Sequence, residues 1–173
     1  MFFRRKGKAE PEAPPPSAQG QEADAGASPE RVLRDAAGLY HLWYLEMRMR
    51  EELARGGRTG QVFSLATWQL RLLPGEVPSD ELFRQAAEHI GNSLRAYDVY
   101  ARIDEHRFVA ILFDAPFESA STVAFRIKGD LQVRVQSAGR WQAGVAAFPV
   151  DGVDGNALIQ AAFRRLDEDS RAA

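Results

Sequence analysis

The chain is predicted to be an α/β protein of the α+β kind, a mixed central sheet flanked by helices in the order α-α-β-α-β-β-α-β-β-α. Three observations predict it. Leu94 to Phe113 reads LRAYDVYARIDEHRFVAILF, in which two short β-branched and aromatic runs, 99–103 and 108–113, flank the polar tetrad Asp104-Glu105-His106-Arg107. Runs of that length and composition, bounded by charge, are strands joined by a turn. Longer segments carry apolar residues at helical spacing, among them Leu82, Phe83, Ala86, Ala87, Ile90 and Leu94. The two kinds of segment alternate along the chain, which requires helices packed on a sheet.

In chain order, residues 1–28 form a tail, 29–169 the domain and 170–173 a short C-terminal tail. The tail begins with the basic-aromatic tip Met1-Phe2-Phe3-Arg4-Arg5-Lys6-Gly7-Lys8 and continues through Ala, Pro, Glu, Gln and Gly. No apolar periodicity survives there to offset the entropy of ordering, so it reads as a solvated linker. Its tip could add only weak, reversible contact with an anionic membrane surface or a partner. Ser28-Pro29-Glu30 is a helix start, with a capping serine and proline in the first turn. After Gly38 a second helix carries Leu42, Leu45, Met49 and Leu53, and Gly56-Gly57 is expected to stop it.

Val62 to Leu72 is a central strand, broken by Pro74-Gly75 and Pro78. Ser79 caps the next helix, with Asp80 and Glu81 near its positive end. The hairpin follows. Pro116 then opens a helix whose Phe117, Ala120, Ala124, Ile127 and Leu131 share a face. Val133 and Val135 alternate as a short strand, Trp141 to Phe148 is its return, and a last helix covers about Asp154 to Asp167. Trp43, Trp68 and Trp141 are expected in the core, and His41 and His89 at the surface or half-buried.

The bulk numbers exclude several classes. A formal net charge of -2 lacks the basic excess of a general nucleic-acid binder. The absence of cysteine excludes a disulfide framework and thiolate chemistry, and fits a reducing cytoplasm. No apolar run approaches the length of a membrane span, and the basic N-terminus has no signal-type apolar core.

Several phrases occur in an order and spacing of their own: Gly38-Leu39-Tyr40, Arg102-Ile103-Asp104-Glu105-His106-Arg107-Phe108, Gly144-Val145-Ala146, Phe148-Pro149, Asp151-Gly152, Asp154 and Leu158-Ile159. Over residues 30–168 they resemble the GGDEF domain family, bacterial diguanylate cyclases that make cyclic di-GMP from two GTP. The resemblance implies a nucleotidyl-cyclase-like fold in which Asp104, Glu105, His106, Arg107 and Phe108 are the counterpart of the signature hairpin.

The family reaction uses a carboxylate pair to hold magnesium against triphosphate. The first-strand acid is absent from Ala66-Thr67-Trp68-Gln69-Leu70-Arg71, and the third hairpin position is His106. Asp104 and Glu105 replace two glycines, and the guanine loop is shortened to about Leu73 to Ser79. On this ground the chain is expected not to be an enzyme, to hold no metal and no cofactor, and to have no catalytic residues.

The family's inhibitory site binds cyclic di-GMP, as a stacked pair, through an Arg-x-x-Asp motif set five residues before the glycine pair. Arg95-Ala-Tyr-Asp98 stands in that register, with 99–103 intervening. A second such motif, Arg164-Arg-Leu-Asp167, does not. Counting along the ungapped resemblance adds Arg126 as a third contact. Arginine can fork to guanine O6 and N7 or to phosphate, and aspartate can accept from guanine N1 and N2. Both motif residues are expected to face solvent, their bland reading being a surface ion pair.

The tetrad in isolation reads as a solvated turn. The expected function is therefore a cyclic di-GMP receptor that signals to an unidentified protein partner in the cytoplasm. The alternative is a ligand-free interaction scaffold; GTP binding in the old pocket is a distant third.

Overall fold

Helical apolar spacing produces α1 (Leu42–Thr59), which turns Leu45, Met49 and Gly56 inward. The computed structural model describes residues 33–171 apart from 36, 78, 105 and 136–138. The expected tail and the helix start at Ser28 lie outside the described residues. Leu33 is helical, and an antiparallel bridge between Arg34 and Tyr40 closes the loop that follows it. Leu33 O accepts from His41 N at 3.0 Å, and Asp35 Oδ1 accepts from Ala37 N and Leu39 N. An aspartate side chain that binds the backbone this way competes with helix formation.

Gly56-Gly57 does not stop α1. The helix passes through both and ends at Gly60, whose φ of 71° closes it with an N–H to Gly56 O. Gly56 is a packing glycine, since a Cβ there would meet the Phe148 ring at 2.6 Å and Gln61 O at 2.8 Å.

The strand β1 (Phe63–Leu72) is buried almost throughout. After it, α2 (Asp80–Ser93) starts as its sequence indicates, with Ser79 Oγ accepting from Leu82 N at 3.2 Å. The hairpin of β2 (Val99–Arg102) and β3 (Arg107–Phe113) follows, then α3 (Phe117–Arg134), β4 (Gly139–Phe148) and α4 (Gly155–Arg171). The four strands lie in the order β2-β3-β1-β4 and every neighbouring pair is antiparallel. Tyr40 adds a parallel bridge to Ala101 at the β2 edge. The fold is mixed α+β, as expected.

The strand predicted at Val133–Val135 is instead the end of α3. Val133 is exposed and Val135 caps the helix, donating its N–H to Leu131 O. Alternation over so few residues fits a helix end as well as a strand.

Strand alternation divides the core into two layers. Ala66, Trp68 and Leu70 face the α2–α3 side with Phe108 and Trp141. Phe63 and Leu65 face the α1–α4 side with Leu45, Ile111 and Phe148. Trp68 and Trp141 are core as expected, and Trp68 Nε1 donates to Ala124 O at 3.0 Å. Trp43 is not: it is half exposed on α1.

The Asp151-Gly152 phrase anchors the loop between β4 and α4. Arg165 donates to both Asp151 oxygens, at 2.6 and 2.7 Å, and Nη1 also reaches Val145 O. The Arg165 hydrogen bonds hold the Asp151 carboxyl below its ordinary range, despite its burial. A lowered folded-state value means the pair's stabilisation is complete above the ordinary aspartate range and disappears as pH falls through the lowered value. Asp151→Asn should therefore flatten the acid limb of the urea midpoint plotted against pH. An unchanged limb would remove Asp151 as its cause.

Candidate ligand-binding site

The site forms where α2 ends. Its C-cap is Leu94, and the chain then makes a tight turn in which Asp98 N donates to Arg95 O at 3.0 Å. Asp98 closes the turn from the other side: its Oδ2 accepts from Arg95 N at 3.0 Å. Its Oδ1 accepts from Phe113 N at 3.3 Å, at the last residue of β3. One carboxylate thus staples the α2–β2 turn to the sheet. Asp98 is only 5% exposed, against the expectation that it faces solvent. Burial, the largest influence, pushes its carboxyl above the ordinary value, against the opposing pull of the two N–H donors and the Arg95 charge.

Arg95 is exposed, as expected, and donates from Nη1 to the Tyr97 hydroxyl at 2.9 Å. Arg126 comes from the middle of α3. Its Nη2 donates to Ser93 O at 3.2 Å, one of the carbonyls a helix end leaves without an intrahelical donor. Ser93, Leu94, Arg95, Asp98, Val123 and Arg126 line one cavity of about 110 Å³. All three expected ligand contacts meet there. Two guanidinium groups and one largely occupied carboxylate leave the rim positive.

Arg164 of the second motif is exposed on α4 and does not line this cavity. A larger opening of about 860 Å³ at the ends of β1 and β4 brings together Arg71, Arg140, Arg171 and Asp167, and none of the expected site residues lines it.

The hairpin is less solvated than its charges suggest. Asp104 Oδ1 accepts from His106 N at 2.9 Å and Oδ2 from Arg107 Nε at 2.7 Å. Burial opposes the Asp104 charge, but Arg107 and the His106 N–H outweigh it and hold the carboxyl below its ordinary range. Arg107 lies over the Phe163 ring and Arg102 over Phe83, each about 4.6 Å from the centroid. His106 faces Phe83, and its Nδ1 is buried without a hydrogen-bond partner. Phe108 is wholly buried opposite Trp68. Glu105 lies outside the described residues.

At the positions compared with the family's carboxylates stand Ala66 to Trp68, all buried in β1, and His106. The residues there do not fit a magnesium ion, and among the described residues no group of three His, Cys, Asp or Glu side chains could hold one.

The family model described as "Diguanylate cyclase, GGDEF domain" matches residues 73–172, more than half of the chain. The chain belongs to the GGDEF family. The GGDEF domain of FimX from Pseudomonas aeruginosa superposes with a TM-score of 0.69 at 19% identity, over 82% of this chain and 95% of that one. The GGDEF domain of DgcB from Caulobacter crescentus, in complex with c-di-GMP, gives 0.67 at 15% identity, over 82% and 91%. Diguanylate cyclase SiaD from Pseudomonas aeruginosa, in complex with its activator SiaC, gives 0.69 at 23%, over 83% of this chain and 60% of that one. No curated protein matches.

These findings overturn the expectation that the chain is not an enzyme: family model and neighbours indicate a GGDEF domain of the diguanylate cyclase type. That expectation came from individual side chains on β1 and the hairpin. The family match extends over a hundred positions whose backbone course is shared, so it does not turn on those few.

Reasoning from the sequence passed over Tyr97, which the GGDEF fold places against Arg95. The signal was present, an aromatic residue inside the four-residue motif itself. Among the described residues no helix is long and apolar enough to cross a membrane.

Proposed function

We propose that this GGDEF domain is a receptor for cyclic di-GMP, binding it through Arg95, Asp98 and Arg126 and passing the liganded state to a protein partner. The observation that supports this is the convergence of the three residues, from the α2–β2 turn and from α3, on one cavity. Arg95 and Arg126 are exposed and can leave their present acceptors for guanine O6 and N7 or for phosphate. Asp98 acts chiefly by setting the turn that presents Arg95, because both its oxygens already accept backbone N–H groups. The ligand carries two phosphates, which suits two guanidinium groups opposed by one carboxylate.

Calorimetric titration tests it. The parent should bind, with two ligand molecules per chain. Losing a charged hydrogen-bonding partner costs about 1.5 to 3 kcal/mol, so Arg95→Ala should weaken binding roughly 10-fold to 100-fold. Arg126→Ala should act in the same direction, and Arg164→Ala should match the parent. No heat from the parent, or parent-like binding by Arg95→Ala, sinks the receptor reading. The outcome would then favour a ligand-free interaction scaffold, for which Leu42, Trp43 and Met47 offer exposed apolar surface on α1.

A further inference from the structure

Tyr97 is an exposed aromatic residue against Arg95, which lines the small positive cavity, and its ring is held by contacts rather than by burial. It is 56% exposed, too open for the hydrophobic effect alone to explain its placement. Its hydroxyl accepts from Arg95 Nη1 at 2.9 Å, and the same guanidinium lies 5.8 Å from its ring centroid. Behind it stands Phe113, with centroids 6.5 Å apart and planes at 57°. Phe113 is 5% exposed, and the Arg48 guanidinium is 5.2 Å from its ring centroid. In the order Arg48, Phe113, Tyr97, Arg95 the two rings stand together between two cations, and each ring attracts the charge beside it. Tyr97 is thereby braced from the sheet side while more than half its surface remains open beside the arginine that lines the cavity.

A braced, exposed ring next to a guanidinium suits a planar base, because every base has a π-face and stacking needs no matched donors or acceptors. We propose that Tyr97 is a stacking platform for a guanine base of the bound nucleotide, and that its hydroxyl holds Arg95 at the cavity rim until the base arrives. This rests on the cyclic di-GMP reading of the same site. It adds a contact made by the ring face, distinct from the hydrogen bonds of Arg95 and Arg126. The two parts of the side chain separate cleanly: phenylalanine keeps the platform and removes the latch, and alanine removes both.

The test titrates cyclic di-GMP into the parent, Tyr97→Phe and Tyr97→Ala, with calorimetry for affinity and proton NMR for the guanine H8 resonance. Stacking on an aromatic side chain predicts a loss of about 10-fold for Tyr97→Ala. Tyr97→Phe should stay within about threefold of the parent, since the ring face is unchanged. In the parent and Tyr97→Phe, H8 of the guanine on the ring should move further upfield at saturation than in Tyr97→Ala, where only stacking between the ligand's own bases remains. Thermal melting of all three should agree, because the ring is mostly solvent-exposed. A parent that does not bind overturns the site reading and this proposal together. A parent that binds, with Tyr97→Ala matching it in affinity and H8 shift, overturns the platform alone. Equal losses in Tyr97→Phe and Tyr97→Ala overturn stacking and assign the effect to the hydroxyl.

Discussion

Asp98→Ala should destabilise the domain by about 3 kcal/mol and abolish cyclic di-GMP binding with it. The carboxylate accepts the N–H groups of Arg95 and Phe113, and deleting it leaves two donors without their charged acceptor at a nearly closed site. Each unsatisfied buried donor costs roughly 1 to 3 kcal/mol, and the ionised group's own burial cost offsets part of the sum. The α2–β2 turn would loosen, and Arg95 with it. Asp98→Asn is the informative companion. One amide oxygen can still accept, but the –NH2 must face a donor, so an intermediate loss of about 1 to 2 kcal/mol is expected.

The pH dependence has the opposite sign to that of Asp151. Because burial raises the Asp98 value, the folded state keeps its proton where the unfolded chain has released it. The favourable contribution is present below the ordinary value near 3.8 and lost as pH rises through the raised one. Urea midpoints of the three proteins across pH decide the matter. A parent-like midpoint for Asp98→Ala would show that the staple carries no stability.

Gly144→Ala should cost about 3 kcal/mol, which for a domain of this size lowers the melting temperature by roughly 10 °C. Gly144 sits in the middle of β4, where α4 crosses the sheet. A Cβ there would meet Ala162 O at 2.1 Å, Leu166 N at 2.7 Å and Leu166 Cβ at 3.0 Å. The first two are helix backbone atoms, so no side-chain rotation relieves the clash and α4 must move away. Leu158, Ala162 and Leu166 are buried along that helix, and moving it opens the layer beneath. Thr67 Oγ1 also donates to Gly144 O at 3.2 Å, which holds the strand from its other neighbour. Calorimetric melting of Gly144→Ala against Gly57→Ala, where an added Cβ meets nothing within 4 Å, separates packing from general loss of glycine. Equal melting temperatures would show that α4 yields without cost.

Much of the architecture is written locally. Ser79 followed by two acids starts α2, the two strands of the hairpin pair up to Arg102 and Phe108, and alternating β1 residues select opposite core layers. The register of Arg95-x-x-Asp98 against the hairpin singled it out from Arg164-x-x-Asp167, and the ungapped count to Arg126 landed on the same cavity. These signals act over a few residues, where spacing and backbone preference suffice.

Other features depend on groups that meet across the chain. Gly56 reads as a helix stop until Phe148 packs against it. Val133 and Val135 read as a strand until α3 extends through 134. Asp98 reads as a surface carboxylate until Phe113, fifteen residues on, donates to it. Tyr97 has no visible role until Phe113 braces its ring. The sequence by itself determined the central turns of α1 to α4, the hairpin and the spacing of the motif, because helical spacing, strand alternation and turn chemistry are local properties. Only the tertiary structure decided that Asp98 is a buried staple, that Arg95 and Arg126 share a cavity and that Tyr97 stands open beside them, because burial and hydrogen-bond partners are set by which distant backbone arrives at each side chain.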